Sequence, residues 1–289
     1  MNYFYYPGCS LEGTARELDA STRAVMETLG VELTEVSDWS CCGASAAEAV
    51  SRLLSLSLAA RNLALAEGSR ADAELLVPCS ACYLNLRRVG GEIKGDGGAL
   101  GRINQVLSEE GLAYRGGVRV RHLLDVLAND VGARRIAGKV RRPLAGLRIA
   151  PYYGCQILRP YADFDDPERP RSMEPVLSAL GAEIHPWSGG GRCCGAGLMT
   201  TKKEVALDLT GSLLSSARGA DAIATVCPMC QMNLEAFQKK ISRRRGEDVA
   251  ISILYLPQLI GAAFGLPPQR LGLNGNLALT PALHRKLRG

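Results

Sequence analysis

Apolar and polar positions follow two periods along this chain, and the same itinerary of short strands and amphipathic helices is run twice. Asn2 to Tyr6 is an aromatic run that ends at Pro7-Gly8-Cys9, a strand delivering a cysteine into a turn. Leu18, Thr22, Val25, Met26 and Leu29 then keep the i, i+4, i+7 rhythm of one buried helix face, which Gly30 stops. Val31 to Val36 alternates as a second strand and runs into Trp39-Ser40-Cys41-Cys42-Gly43. An Ala/Leu-rich pattern predicts one long helix over Ala44 to Ala66, followed by a continuous apolar strand from Ala73 to Val77 that ends at Pro78-Cys79. Gly90 to Gly117 is Gly-rich and weakly patterned, so it reads as a surface excursion with a short helix around Ile103 to Leu107. Val118 to Arg121 alternates as a fourth strand, and Leu123 to Leu127 begins a helix.

The second half repeats this order. Leu147 to Tyr153 leads to Gly154-Cys155, a helix face at Met173, Val176, Leu177 and Leu180 ends at Gly181, and Ala182 to Pro186 precedes Trp187-Ser188. Gly189 to Arg192 then intervenes before Cys193-Cys194-Gly195, a four-residue insertion relative to Trp39-Ser40-Cys41. Val205 to Ser216 reads as helix, Ala222 to Val226 as a buried strand, and Ile251 to Leu256 as the last strand, followed by a helix from Pro257. Thr280-Pro281 marks a further helix start. Strand and helix alternate in both halves, which predicts two similar α/β domains with open, mostly parallel sheets. The basic, punctuated stretch Gly138 to Pro143 is the expected linker, giving domains 1–143 and 144–289. Every cysteine group follows a strand, so all are expected at the carboxyl ends of the sheets, where such folds collect ligands. Helices are expected to start just after Cys42, Cys82, Cys194 and Cys230, directing free backbone N–H groups towards a negatively charged cluster or substrate.

Composition narrows the chemistry. In 289 residues each half is large enough to bury a core without covalent help. The net charge of +5 is spread in short clusters and reads as a solvated face, not a nucleic-acid footprint. No run approaches a membrane helix and no leader precedes Tyr3, which leads us to expect a cytoplasmic protein. There, clustered cysteines bind metal or do redox chemistry more often than they cross-link.

All ten cysteines fall into two sets of one pattern: Cys9, Cys41-Cys42 and Cys79-x-x-Cys82, then Cys155, Cys193-Cys194 and Cys227-x-x-Cys230; both CxxC groups continue identically, as Asn85-Leu86 and Asn233-Leu234. Adjacent cysteines suit a disulfide poorly, because neighbouring Cα atoms lie about 3.8 Å apart. Structural zinc takes four ligands where each set offers five, and no histidine stands in a ligand pattern beside them. Thioredoxin-like exchange would use one CxxC and leave three cysteines without work. Iron-sulfur clusters fit the thiolates best, with zinc the remaining alternative. A ferredoxin cysteine run and a convincing G-x-G-x-x-G are both lacking, so electrons must arrive from elsewhere.

This arrangement resembles the paired CCG cysteine-rich domains of the B-subunit family of heterodisulfide reductases, over about residues 3 to 260. The resemblance implies that Cys9, Cys41, Cys42, Cys79 and Cys82 hold one non-cubane [4Fe-4S] cluster and Cys155, Cys193, Cys194, Cys227 and Cys230 a second. It further implies an enzyme that reduces or forms a disulfide or related sulfur substrate between the two clusters. Its partners would be the ferredoxin-like and the flavin-bearing subunits of such a complex, and its substrate a thiol compound or a sulfur species carried on a lipoyl protein. A rival within the same superfamily is an electron-transfer subunit of a dehydrogenase or quinone-linked oxidoreductase acting on succinate, lactate or glycolate.

Four further residues are candidates for the substrate: Arg192 beside Cys193, Arg159 after Cys155, and Tyr6 and Tyr152 beside the first cysteine of each half. For the tyrosines, core packing is the favoured reading. Trp39 and Trp187 are expected to pack behind the cysteines, and His185 to be structural.

Overall fold

The computed structural model describes residues 1–70 and 72–288. The first half contains β1 (Asn2–Tyr5), a single turn α1 (Cys9–Glu12), α2 (Arg16–Thr28), β2 (Glu32–Glu35), α3 (Ala46–Val50), α4 (Arg52–Ser69), β3 (Glu74–Val77), α5 (Ser80–Gly95), α6 (Ala99–Leu107), β4 (Arg119–His122), α7 (Leu123–Asp125) and α8 (Gly132–Ala137). The second contains β5 (Arg148–Tyr152), α9 (Met173–Ala179), β6 (Glu183–Ile184), α10 (Lys203–Ser216), β7 (Ala222–Thr225), α11 (Pro228–Ala236), α12 (Gln238–Arg245), β8 (Ser252–Tyr255), α13 (Leu256–Ala263) and α14 (Pro281–Arg288). Two four-stranded sheets result, ordered β2-β1-β3-β4 and β6-β5-β7-β8, and every strand pairing is parallel. The expected duplicated α/β architecture is therefore present.

The strand order places β1 beside β3 and β5 beside β7, so the chain turns outward in opposite directions from each central pair. Loops leaving those neighbouring carboxyl ends diverge and open a crevice between them. Cys9 and Cys79 leave β1 and β3, and Cys155 and Cys227 leave β5 and β7. Buried on both faces, the central strands are nearly all apolar: Leu75, Leu76 and Val77 in β3 and Ala222, Ile223 and Ala224 in β7 are each fully enclosed.

One apolar core runs across both halves. It joins Leu18, Val25 and Met26 of α2 to Leu256, Leu259 and Ile260 of α13, while a smaller cluster around Ile223, Leu213 and Ile241 fills the far side of the second sheet. The basic segment 138–143 is tied into this packing, because the backbone N–H groups of Arg141 and Arg142 both donate to the Ala263 carbonyl at 2.9 Å.

Three local expectations need correction. The helix predicted over Ala44 to Ala66 is broken into α3 and α4 at Ser51, whose extended backbone interrupts the turn and whose hydroxyl accepts from the N–H of Leu54. Ser caps helices for this reason, competing with the backbone for its hydrogen bonds. The Gly-rich excursion is largely helical: α5 continues through Gly90 and Gly91 to Gly95, and α6 begins at Ala99. Tertiary packing overrides the weak propensity there, since Leu86, Val89 and Ile103 are buried. The third correction concerns helix starts at the cysteines. The helices of the CxxC groups begin at Ser80 and Pro228, so Cys79 and Cys227 are the capping residues and Cys82 and Cys230 lie in the first turn.

Candidate functional site

Each cysteine set gathers at one end of its sheet. In the first, Cys9 Sγ lies 3.7 Å from Cys41 Sγ, and Cys42 Sγ lies 3.3 Å from Cys82 Sγ. In the second, Cys194 Sγ lies 3.5 Å from Cys230 Sγ, and the thiols of Cys155 and Cys193 are also paired. All ten are free thiols. The halves match in exposure: the CxxC cysteines and the second cysteine of each vicinal pair are buried, whereas Cys9, Cys41 and Cys193 are exposed and Cys155 is half-buried. Each site is thus closed at its base and open above.

The vicinal pairs are held by the same three devices in both halves. The Tyr6 hydroxyl donates to the carbonyl of Ser40, the residue before Cys41, and the Tyr152 hydroxyl donates to the carbonyl of Arg192, the residue before Cys193; both bonds are 2.8 Å. Asn85 Nδ2 donates to the Cys42 carbonyl at 2.5 Å, and Asn233 Nδ2 to the Cys194 carbonyl at 2.8 Å. Gly43 and Gly195 follow at φ +76° and +82°, where a Cβ would stand 2.8 Å from Leu58 Cδ1 and 3.0 Å from Ala206 Cα. Only glycine takes that turn without strain. The recurring Gly after Cys-Cys and Asn after CxxC are therefore fixed by backbone geometry, a role that spacing did not reveal.

Thiol packing also sets the electrostatics. Hydrogen bonds from Cys41 and Cys82 hold Cys42 well below the ordinary thiol range, and the same contacts push Cys41 and Cys82 up. In the second set a hydrogen bond from Cys155 lowers Cys193 to about 6, and one from Cys230 lowers Cys227 to about 7. Each set thus mixes thiols that ionise readily with neighbours that hold their protons until a cation replaces them.

The donor chemistry fits an iron-sulfur group. The ligands are thiols alone, and their 3.3 to 3.7 Å pairings approach the roughly 3.8 Å that two thiolates adopt on one tetrahedral metal with bonds of about 2.3 Å. Among the described residues no three His, Cys, Asp or Glu side chains converge in the manner of a single ion's ligands.

The two halves meet beside their cysteines. A cavity of about 240 Å³ is walled on one side by all five cysteines of the second set and on the other by Ala44, Ser45, Ala81, Leu84 and Asn85, neighbours of the first set. Arg88, paired with Glu48 at 2.7 Å, brings a charge to its edge. The cysteines of the first set do not line this cavity; Cys9 and Cys41 open instead on a shallow face with Glu12, Glu35, Asp38 and Trp39.

Of the other candidates, Tyr6 and Tyr152 are fully buried and serve the backbone as described. They touch Trp39 and Trp187, with ring centroids 5.4 and 5.9 Å apart. Arg159 is held by the Gly191 carbonyl at 3.2 Å and by Glu168 at 2.9 Å, away from the cavity. Arg192, exposed beside Cys193, does not line it either. Arg88, Gln156 and Met229 do line it, and nothing in their sequence spacing distinguished them.

The cysteine-rich domain family abbreviated CCG matches residues 3–87 and 149–235. The chain belongs to this family. Both CCG domains are present, in tandem. Among relatives, the chain is 37% identical to the 8-methylmenaquinol:fumarate reductase membrane anchor subunit of Wolinella succinogenes, covering 95% of this chain and 96% of that one. It is 28% identical to the B subunit of the ferredoxin/F(420)H(2)-dependent CoB-CoM heterodisulfide reductase of Methanosarcina acetivorans, over 94% and 92%. A protein of Archaeoglobus profundus that is like the heterodisulfide reductase B subunit is also 28% identical, over 97% and 95%. A hypothetical protein from Helicobacter pylori shares the fold, with a TM-score of 0.74 at 16% identity; the match covers 97% of this chain and 52% of that one, about half its length. Among the described residues no helix is long and apolar enough to cross a membrane.

Proposed function

We propose that the chain is the iron-sulfur subunit of a heterodisulfide reductase-like oxidoreductase complex, with Cys9, Cys41, Cys42, Cys79 and Cys82 holding one [4Fe-4S] cluster and Cys155, Cys193, Cys194, Cys227 and Cys230 the other, both of non-cubane form. The cavity lined by the second set is the reaction site. The observation that carries this reading is that cavity, which brings five thiols of one half against the loops that hold the other five. When bound, the clusters supply single electrons, and two are needed to convert a disulfide into two thiols. The protein's part is to fix the ligands through Tyr6, Tyr152, Asn85 and Asn233, to narrow the cleft with Leu84 and Met229, and to offer Arg88 to an anionic substrate group.

On this reading the complex is cytoplasmic and includes a ferredoxin-like and a flavin-bearing subunit. The substrate is a small disulfide or a sulfur species on a lipoyl carrier. The repeat junction lies at 143/144.

A second reading has its own support. Identity to the quinol:fumarate reductase subunit, at 37%, exceeds the 28% to the heterodisulfide reductase subunits. In that case the same cysteines pass electrons within a quinone-linked complex and split no disulfide. Anaerobic isolation with the native partners, followed by parallel assays of disulfide reduction and quinol oxidation, separates the two. Disulfide turnover supports the first reading; quinol turnover alone replaces it with the second.

A further inference from the structure

The internal repeat exposes a difference that neither reading uses. Counted from the capping residue, Cys79, Tyr83 and Arg87 occupy positions i, i+4 and i+8 of the α5 segment, and Cys227, Gln231 and Glu235 the same positions of the α11 segment. Such a spacing lines one face of a helix, here over about 12 Å. In the first half this stripe is closed by an ion pair: Asp163 accepts from Tyr83 at 2.7 Å and from Arg87 at 2.8 and 3.0 Å. In the second half the equivalent positions carry an amide and a carboxyl, and among the described residues no salt bridge closes them.

The stripe on α11 faces a buried polar group drawn from both halves. Glu17 of α2 and Glu235 are each less than a tenth exposed, and the charge of Glu17 disfavours ionisation of Glu235. Tyr255 of β8 is fully buried with its hydroxyl unpartnered, and Gln231 Nε2 is buried without a full hydrogen bond. Glu17, Glu235, Cys227 and Cys79 all lie near enough to bear on the Tyr255 hydroxyl. Buried groups of this kind are normally satisfied by protein or water, so an unmatched hydroxyl and an amide leaning on Glu17, beside two carboxyls, mark a place where protons are held or passed. Burial raises Glu235 to about 7, so it takes and releases protons at neutral pH more readily than an exposed carboxyl, and burial raises Glu17 as well.

The stripe has two ends. Glu235 lines an open groove of about 650 Å³ with Lys239, Arg243 and Asp248. Its carboxyl accepts from the N–H groups of Leu277 and Ala278 at 3.1 and 3.3 Å, and the Asn276 side chain also faces it. Cys227, at the other end, lines the cavity assigned above to the reaction.

We propose that Glu235, Glu17, Gln231 and Tyr255 form a proton relay from the groove beside α12 to the cleft beside Cys227. This rests on the function proposed above and deepens it. Reduction of a disulfide consumes two electrons, from a reduced iron-sulfur partner, and two protons, which the relay draws from solvent: RS–SR′ + 2e⁻ + 2H⁺ gives RSH and R′SH. A quinol oxidised at the same cleft releases two electrons and two protons, and the relay then runs outward.

The test is Glu235→Gln in the cluster-bearing complex, followed by infrared titration and turnover. In the parent we expect a carboxylic C=O band that disappears with a midpoint near pH 7, and in the variant its loss. Turnover above neutral pH should fall by about 10²-fold in the variant, the lower end of the range for a positioned proton-transfer group. Glu235→Asp should recover part of it, and Glu17→Gln should shift the band's midpoint. A parent band titrating as an ordinary carboxyl, or a folded Glu235→Gln variant with the parent's pH profile, overturns the relay. Should Glu235→Gln not fold, the parent titration and Glu17→Gln decide. Lack of disulfide and quinol turnover in the parent would sink the functional reading while leaving the infrared titration to judge the relay.

Discussion

The Ser80 hydroxyl lies 3.4 Å from the Val226 carbonyl, so the residue after Cys79 in one repeat bonds to the residue before Cys227 in the other. The same hydroxyl is 3.4 Å from His122 Nε2, and His122 Nδ1 accepts from the N–H of Leu124 at 3.1 Å. The proton of the neutral ring therefore sits on Nε2, where the Pro78 and Val226 carbonyls face it. The ring stacks on Phe164 and meets Tyr83 edge-on, with centroids 6.3 and 5.4 Å away. Two duplicated sheets are thus fastened together at the base of their cysteine sites by a buried imidazole and one hydroxyl. Ser80→Ala should lower stability by about 1 kcal/mol, the net worth of one buried hydrogen bond, as read by chemical denaturation.

His122 gives the protein a pH dependence of known sign. Burial depresses its pKa to about 3 from the usual 6.5, so between those values the unfolded chain binds a proton that the folded chain does not. Stability from this group is complete above pH 6.5 and is lost as pH falls towards 3, at up to about 1.4 kcal/mol per pH unit. Glu235 works oppositely, since its raised pKa makes stability fall as pH rises from 4.5 towards 7. Denaturation midpoints of His122→Gln across about pH 4 to 7 should show a shallower acid loss than the parent. An unchanged slope would remove His122 from this role.

Asn85 and Asn233 should each support one cluster. Truncating Asn85 takes the donor from the buried Cys42 carbonyl, at a cost of about 1 to 3 kcal/mol, whereas truncating Asn233 leaves the Cys194 carbonyl with the Thr210 hydroxyl at 2.9 Å and should cost less. Asn85→Ala should lose the paramagnetic signal of the first cluster and keep the second, with Asn233→Ala doing the reverse. Electron paramagnetic resonance of the two variants checks this; a common loss in both would mean that the sites do not assemble independently.

Gly8 and Gly154 precede the first cysteine of each set at φ +73° and +70°, and a Cβ would stand 3.0 Å from Cys82 Sγ and 3.3 Å from Cys230 Sγ. Alanine at either position carries a left-handed penalty of about 1 to 2 kcal/mol. The closer approach at Gly8 predicts that Gly8→Ala lowers iron content more than Gly154→Ala does. Iron analysis of the purified variants gives the order directly.

Much of this was legible in the sequence because strand-ending cysteines, glycine stops and an internal repeat are local signals. Cys9, Cys79, Cys155 and Cys227 follow their strands as read. Less legible was anything set by contacts between distant segments. The break at Ser51 depends on a cap, the helical run through Gly90 and Gly91 on burial of Leu86 and Val89, and Arg159 is drawn away from the cavity by Gly191 and Glu168. Asn85 and Asn233 were visible as a repeated pair, but their bonds to the vicinal cysteines required the fold.

The most direct measurement is iron and acid-labile sulfide in the anaerobically isolated chain, with Cys42→Ala and Cys194→Ala beside it. Two four-iron clusters predict about eight of each per chain, and each variant should lose the signal of its own half. Zinc in place of iron, or about four irons unaffected by one of the two substitutions, would contradict the account.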